Sequence, residues 1–284
     1  MTTEEATFLL LRELRDIYSP EEAGLITDWV MEAITGSRKA ERMIYKKQPL
    51  TAKEDQQVQQ YLKRLLQYEP VQYILQEAWF YGMKFHVNPH VLIPRPETEE
   101  LAEWIIKDHG SAGPLSLLDI GTGSGCIAIS LKKKIPAATV AACDISEAAL
   151  AVAKENAALH SAAISFIQLD FLNEIEWEKM EQYDIMVSNP PYIPQAESHS
   201  MNANVVKYEP GTALFVPDDN ALIFYEVIAR FGHAHLKPGA YIYAEIHESL
   251  GQAAIDLFLQ YNYTPLLKKD MQGKDRMIRA VKAG

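Results

Sequence analysis

From Glu97 onward the chain switches repeatedly between two hydrophobic periods. Short apolar runs at LSLLDI (115–120), TVAACDI (139–145), Ile164–Leu169, Tyr183–Ser188 and AYIYAEI (240–246) alternate with stretches of helical spacing. Those stretches run from Glu97 to about His109, then over SGCIAISLKKK (124–134), Glu147–Leu159, Ala221–His235 and Gly251–Gln260. An apolar strand that is followed each time by a helix must be covered on both sides. The pattern therefore predicts an α/β domain with a doubly wound sheet and helices on both faces, ending in two closing strands. There is no internal repeat and no low-complexity tract.

The first 75 residues have a different period. Phe8, Leu9, Leu11, Leu14 and Ile17 recur at helical spacing. Ser19-Pro20-Glu21-Glu22 supplies a cap, a first-turn proline and two carboxylates for a second helix. Thr51 and Glu54 form a capping box for a long helix through Leu66, with a short helix expected between Ser37 and Tyr45. This region carries no chemical motif and reads as a helical recognition or positioning module. Alternation around Gly82, with Trp79, Tyr81, Phe85 and Val87, predicts a hairpin. The expected organisation is thus residues 1–75 helical, 76–95 a hairpin linker and 96–284 the main domain.

Composition removes several function classes. No apolar run approaches the ~18 residues of a membrane-spanning helix, and the acidic start MTTEEATFLLL lacks the basic segment of a signal peptide. Cys126 and Cys143 lie in apolar segments without metal spacing, as buried free thiols of a reducing compartment, so the cytoplasm is expected. With 38 acidic against 27 basic residues the net charge is −11, which disfavours a grip on duplex nucleic acid and suits a basic protein partner. The run Lys132-Lys133-Lys134 follows an apolar helix and suits its C-terminal end. His233 and His235 have no third ligand nearby, so no metal is expected.

Two stretches carry chemistry. LLDIGTGSGCIAIS sets Gly121, Thr122, Gly123, Ser124 and Gly125 between a strand and a helix, where the backbone turns sharply and approaches a ligand. Asp144 ends the next strand and can accept two ribose hydroxyl hydrogens. Asp170 and Phe171 follow the strand after that, a carboxylate and a ring suited to an adenine. Cys126 stands where a dinucleotide fingerprint needs its third glycine, and no P-loop lysine is present. The pattern DxGxGxG resembles the first motif of class I S-adenosylmethionine-dependent methyltransferases.

The second stretch is VSNPPYIP (187–194). Pro190 and Pro191 fix the backbone and remove two N–H donors. A planar NH2 group could then give one hydrogen to the Asn189 side-chain oxygen and the other to the Pro190 carbonyl. Tyr192 could pack on the planar substrate. Such a nitrogen is a poor nucleophile, and two acceptors would orient it and stabilise the positive charge it acquires.

NPPY after this glycine motif resembles the amino-group methyltransferases, which include N6-adenine nucleic-acid enzymes and protein glutamine-N5 enzymes. VLIPRPETEE (91–100), YEPGTALF (208–215), DMQGKDR (270–276), PVQYIL near residue 70 and the helical start together resemble the bacterial release-factor glutamine methyltransferases, the PrmC or HemK family. The stretch IPRPETE favours that type over the ribosomal-protein glutamine methyltransferases. The resemblance implies a class I fold with a doubly wound, mostly parallel seven-stranded sheet and an N-terminal helical domain that recognises substrate. It implies methyl transfer from S-adenosylmethionine to the glutamine of a Gly-Gly-Gln motif in peptide-chain release factors. It places Gly121–Gly125 at the methionine end of the cofactor, Asp144 at its ribose and Phe171 at its adenine, with Asn189, Pro190, Pro191 and Tyr192 holding the glutamine. Phe171 departs from the tryptophan that members often carry, which keeps stacking and loses an indole N–H. Arg95 has no role that the residues themselves reveal, beyond a salt bridge between domains. An N6-adenine nucleic-acid methyltransferase and a non-catalytic S-adenosylmethionine-binding protein are the rival readings.

Overall fold

The computed structural model describes residues 1–283, which divide into two compact units. The smaller comprises Met1–Gln76 and Asn202–Tyr208, the larger Glu77–Met201 and Glu209–Gly284. The smaller unit holds α1 (Thr3–Leu14), α2 (Pro20–Thr35), α3 (Lys39–Ile44), α4 (Ala52–Leu65) and α5 (Val71–Leu75), of which α1, α2 and α4 begin at a side-chain cap. Thr2 and Thr51 form capping boxes with Glu5 and Glu54, and α2 runs from a Ser19 cap to Gly36 in the left-handed region. Leu10, Leu14, Val30, Met31, Val58 and Leu65 fill its core. Its last piece, Ala203–Tyr208, arrives from far along the chain and gives the Tyr208 hydroxyl to the Gln67 carbonyl at 2.8 Å.

The larger unit opens with the hairpin β1 (Glu77–Phe80) and β2 (Met83–His86). Rather than standing apart as a link, the hairpin sinks Phe80 and Phe85 into a core with Leu101 and Ile105. There follow α6 (Pro96–His109), β3 (Ser116–Ile120), α7 (Cys126–Lys134), β4 (Thr139–Asp144), α8 (Glu147–Leu159), β5 (Ser165–Gln168) and β6 (Tyr183–Ser188). A short parallel pair, β7 (Ile193–Pro194) and β8 (Phe215–Val216), precedes α9 (Ile223–His235), β9 (Leu236–Glu245), α10 (Gly251–Gln260), β10 (Tyr263–Lys269) and β11 (Asp275–Lys282).

The seven strands lie in the order β10-β11-β9-β6-β3-β4-β5. The contacts among β9, β6, β3, β4 and β5 are parallel, and β11 is antiparallel to both its neighbours. Successive residues of β6 serve opposite cores, Met186 on one face and Ile185 and Val187 on the other, as a sheet covered on both sides requires. The lysines that end α7 meet its C-terminal dipole, and Lys132 donates to the carbonyls of Pro136 and Ala138. Among the described residues no helix is long and apolar enough to cross a membrane.

Candidate active site

In the parallel register, Ile120 at the end of β3 lies opposite Cys143 of β4 on one side and Ser188 of β6 on the other. The glycine loop, Asp144 and Asn189 therefore leave the sheet at one level. The strand order reverses between β3 and β6, which is where open α/β sheets bind ligands. A cavity of about 390 Å³ lies here, lined by Gly121–Ser124, Asp144, Leu169, Phe171, Asn189–Pro191, Arg95 and Thr98 among others. That volume falls in the range of small-molecule pockets.

The glycine loop is shaped from below. Gly125 has φ +79°, and a Cβ there would sit 3.1 Å from Ile129 Cδ1 and 3.2 Å from Ala153 Cβ, so this glycine lets α7 close on α8. At Gly121 and Gly123, also at positive φ, an added Cβ would meet nothing within 4 Å, leaving open room for a ligand against the backbone. Asp119 of β3 is fully buried beneath the loop. Its Oδ2 accepts the Thr122 hydroxyl at 2.7 Å and the Ala128 N–H at 3.2 Å, whereas Oδ1 has no partner among the described residues. Burial pushes this carboxyl up to about 7, and the nearby Asp144 charge adds to the rise. Asn156 of α8 ties the loop to the hairpin, donating to Ser124 O and His86 O at 2.9 Å each.

Asp144 accepts the Gly123 N–H on Oδ2 and the Ser146 N–H on Oδ1, both at 2.9 Å. Each oxygen keeps a further lone pair, so the carboxylate retains capacity for two hydroxyl hydrogens. Burial raises its pKa, against the pull of those two backbone donors. Phe171 lines the cavity and packs between Trp177 and Phe231, at ring separations of 5.8 and 4.9 Å. The Trp177 indole donates to the Phe171 carbonyl at 3.1 Å. Asp170 commits one carboxylate oxygen to the Leu172 N–H at 3.0 Å, within its own turn.

At the end of β6, Ser188 Oγ closes on the Ile120 carbonyl at 2.8 Å, pinning the two strands together where the chain turns out. Asn189 Nδ2 donates to Thr98 Oγ1 at 3.0 Å, which leaves Oδ1 on the other side of the amide. Thr98 donates in turn to Glu245 Oε2 at 2.7 Å. Tyr192 does not line this cavity, and its hydroxyl donates to Glu245 Oε1 at 2.9 Å. The cause is Glu245 itself, a carboxylate only 2% exposed that needs donors.

Arg95 lines the cavity and pairs with Glu209 Oε1 at 2.5 Å, while Glu209 Oε2 accepts the Ile93 N–H at 3.1 Å. Both partners belong to the larger unit, so this is not the salt bridge between domains that the sequence allowed. The pair anchors the YEPGTALF stretch, whose Pro210, Thr212, Ala213 and Phe215 reach the cavity. In DMQGKDR, Asp270 accepts the N–H groups of Gln272 and Lys274 at 2.9 Å each and the Arg276 guanidinium at 3.2 Å, which closes a tight turn.

Thr98, Glu245 and Asp119 are the site-supporting residues that sequence reasoning passed over. A signal existed for the two acids, since LSLLDI and AYIYAEI each place a carboxylate just before the last residue of an apolar run, as TVAACDI does with Asp144.

A mostly parallel seven-stranded sheet of this order, with a glycine loop and a strand-end acid at its switch point, defines a class I S-adenosylmethionine-dependent methyltransferase. The chain matches the Methyltransferase small domain over residues 103–208 and the PrmC N-terminal domain over residues 10–75. It is 46% identical over 222 residues to the release factor glutamine methyltransferase of Flavobacterium psychrophilum, covering 77% of each chain. Identity to the one of Bacteroides thetaiotaomicron is 42% over 275 residues, covering 96% of this chain and 98% of that one. The chain belongs to the release factor glutamine methyltransferase family. A crystal structure of a methyltransferase from Pyrococcus furiosus shares the fold at 18% identity, with a TM-score of 0.53 over 72% of this chain and 91% of that one.

Proposed function

We propose that this protein methylates the side-chain amide nitrogen, N5, of the glutamine in the Gly-Gly-Gln motif of peptide-chain release factors, with S-adenosylmethionine as donor. The observation that carries the reading is the Asn189 amide, whose nitrogen is committed to Thr98 and whose oxygen remains to accept at the cavity. Family membership supports the same substrate. The setting is the cytoplasm, where release factors act. The helical unit serves as the docking module for the release factor, and the net charge of −11 suits a protein partner rather than duplex nucleic acid.

The cavity suits the cofactor on its own evidence. Gly121 and Gly123 leave open room over their backbone, Asp144 has two acceptor sites in hand for ribose hydroxyls, and Phe171 offers an apolar wall for the adenine. When bound, S-adenosylmethionine supplies an electrophilic methyl group. The remaining work falls to the chain. Asn189 Oδ1 and the Pro190 carbonyl accept the two hydrogens of the glutamine NH2, which turns the nitrogen lone pair in one direction and disperses the positive charge that builds there. Pro191 brings no N–H to compete for those acceptors. Water takes the surplus proton afterwards, so no strong base is needed.

The test is methyl transfer from labelled cofactor to a release factor, to its Gln→Ala variant in Gly-Gly-Gln, and to duplex DNA. Label on the intact factor alone is the expected result, and label on DNA alone would replace the protein substrate with an adenine. In Asn189→Ala, cofactor binding measured by calorimetry should persist while kcat drops by roughly 100- to 1,000-fold, as for loss of a transition-state hydrogen-bond partner. Unchanged turnover would remove Asn189 from the mechanism.

A further inference from the structure

An asparagine serves a substrate NH2 group only with its oxygen turned toward it. The two ends of a carboxamide are nearly the same size, so packing alone does not choose between them. Here a line of hydrogen bonds chooses. Glu245, the last residue of β9, takes the Thr98 hydroxyl on Oε2 and the Tyr192 hydroxyl on Oε1. An ionised carboxylate only accepts, so each hydroxyl spends its single hydrogen there. Thr98 Oγ1 is left with lone pairs alone, and the Asn189 group 3.0 Å away must present its nitrogen.

We propose that Glu245 and Thr98 are positioning residues for methyl transfer: the buried carboxylate sets the direction of hydrogen bonding through Thr98 and so holds the Asn189 oxygen toward the substrate amide. The inference deepens the function proposed above and rests on it. The same carboxylate anchors Tyr192, so both ends of the NPPY tetrapeptide are referred to one acid on a neighbouring strand. Three sequence-distant stretches, PRPET, NPPY and AEI, thereby act as one device.

The device requires Glu245 to be ionised. Burial raises its pKa, the Thr98 and Tyr192 hydroxyls lower it, Arg276 of β11 lowers it and Glu97 of α6 raises it. Tyr225 of α9 faces the same residue and donates to its backbone carbonyl at 3.0 Å. A protonated Glu245 can itself donate to Thr98. The Thr98 hydrogen is then free to turn to Asn189, and the amide can present its nitrogen to the substrate. Activity should fall on the acid side as this proton is taken up.

The experiment measures kcat and KM for a purified release factor at saturating cofactor, across pH 5.5–8.5. It compares the full-length wild type with Glu245→Gln, Thr98→Ser, Thr98→Val and the double variant Glu245→Gln/Thr98→Val. Calorimetric cofactor affinity reports whether each variant retains its fold. A glutamine at 245 can donate as well as accept, so kcat should fall about 10- to 100-fold, the scale of a misaligned reacting group. The acid limb of the profile should flatten with it, while cofactor affinity holds. Thr98→Ser should stay close to wild type, Thr98→Val should match Glu245→Gln, and the double variant should be no worse than either single one. Wild-type kcat and an intact acid limb in Glu245→Gln would overturn the inference, as would Thr98→Ser failing as badly as Thr98→Val. A wild-type enzyme that labels no release factor would overturn the proposed substrate and this inference together. A labelling wild type with an unaffected Glu245→Gln would overturn the inference alone.

Discussion

Replacing Asp119 by asparagine should change how the stability of the cofactor-free protein depends on pH. The carboxyl is fully buried, one of its oxygens has no partner among the described residues, and its pKa is pushed from the ordinary 3.8 to about 7. Because the folded value lies above the unfolded one, the native state holds a proton that the unfolded chain gives up. The associated stability is complete below pH ~4 and is lost as pH rises toward and through 7. Three units correspond to roughly 4 kcal/mol at most, of which about 2.5 kcal/mol accrues between pH 5 and 8. Asparagine keeps one oxygen for the Thr122 and Ala128 donors and carries no charge at any pH. Its NH2 contributes an offset that does not vary with pH. Melting curves of both proteins at pH 5, 6, 7 and 8 should therefore diverge, with the variant gaining about 5–10 °C relative to wild type from one end of the range to the other. A difference that stays constant with pH would refute the argument, because it would mean that Asp119 is ionised throughout or is reached by water.

Two substitutions test other parts of the site. Asp144→Ala removes the acceptor of the Gly123 and Ser146 N–H groups and the two sites offered to a ribose, so cofactor Kd should rise by about 10- to 100-fold, equivalent to one or two charge-assisted hydrogen bonds. An unchanged Kd in calorimetry would remove Asp144 from the binding site. Arg95→Ala strands the buried Glu209 carboxylate and should cost about 2 kcal/mol in denaturant melts, less than for a fully buried pair because Arg95 is 33% exposed. The surface pair of Arg12 and Glu13 is the control, and equal losses in Arg95→Ala and Arg12→Ala would show that the Arg95 pair does nothing special.

What could be read from the sequence was local. Strand and helix periods, capping boxes and the glycine loop each depend on residues within a few turns of one another, and the elements they mark form close to where the periods place them, whereas Asp144 ends the next strand and meets Gly123 across 21 residues. Asn189 was legible because two prolines mark it. The support behind it was not, since Thr98 and Glu245 lie 147 residues apart and meet only once α6 packs on β9. The bond from Tyr192 to Glu245 is hidden in the sequence for the same reason, because 53 residues separate the phenol from its acceptor. Arg95 could not be given a partner because Glu209 is 114 residues away, and its neighbours PRPET carry no periodicity that points there. The hairpin looked like a link because its alternation shows two faces without showing what covers them. Phe80 and Phe85 are buried in a core shared with residues of α6, α7 and the sheet, and Phe85 also packs on the His160 ring.

The helical unit is built from two pieces of chain, and that has a consequence for synthesis on the ribosome. Residues 1–76 emerge first, but the segment Asn202–Tyr208 that completes the unit emerges about 130 residues later. At translation rates of about 5–20 residues per second, the unit waits on the order of ten seconds for its last piece. Strands β3 to β6 of the larger unit are made during that wait. The smaller unit is therefore completed after β3 to β6 have been made and before β9, β10 and β11 have, and a fragment that stops at residue 76 lacks a part that no amount of refolding can restore.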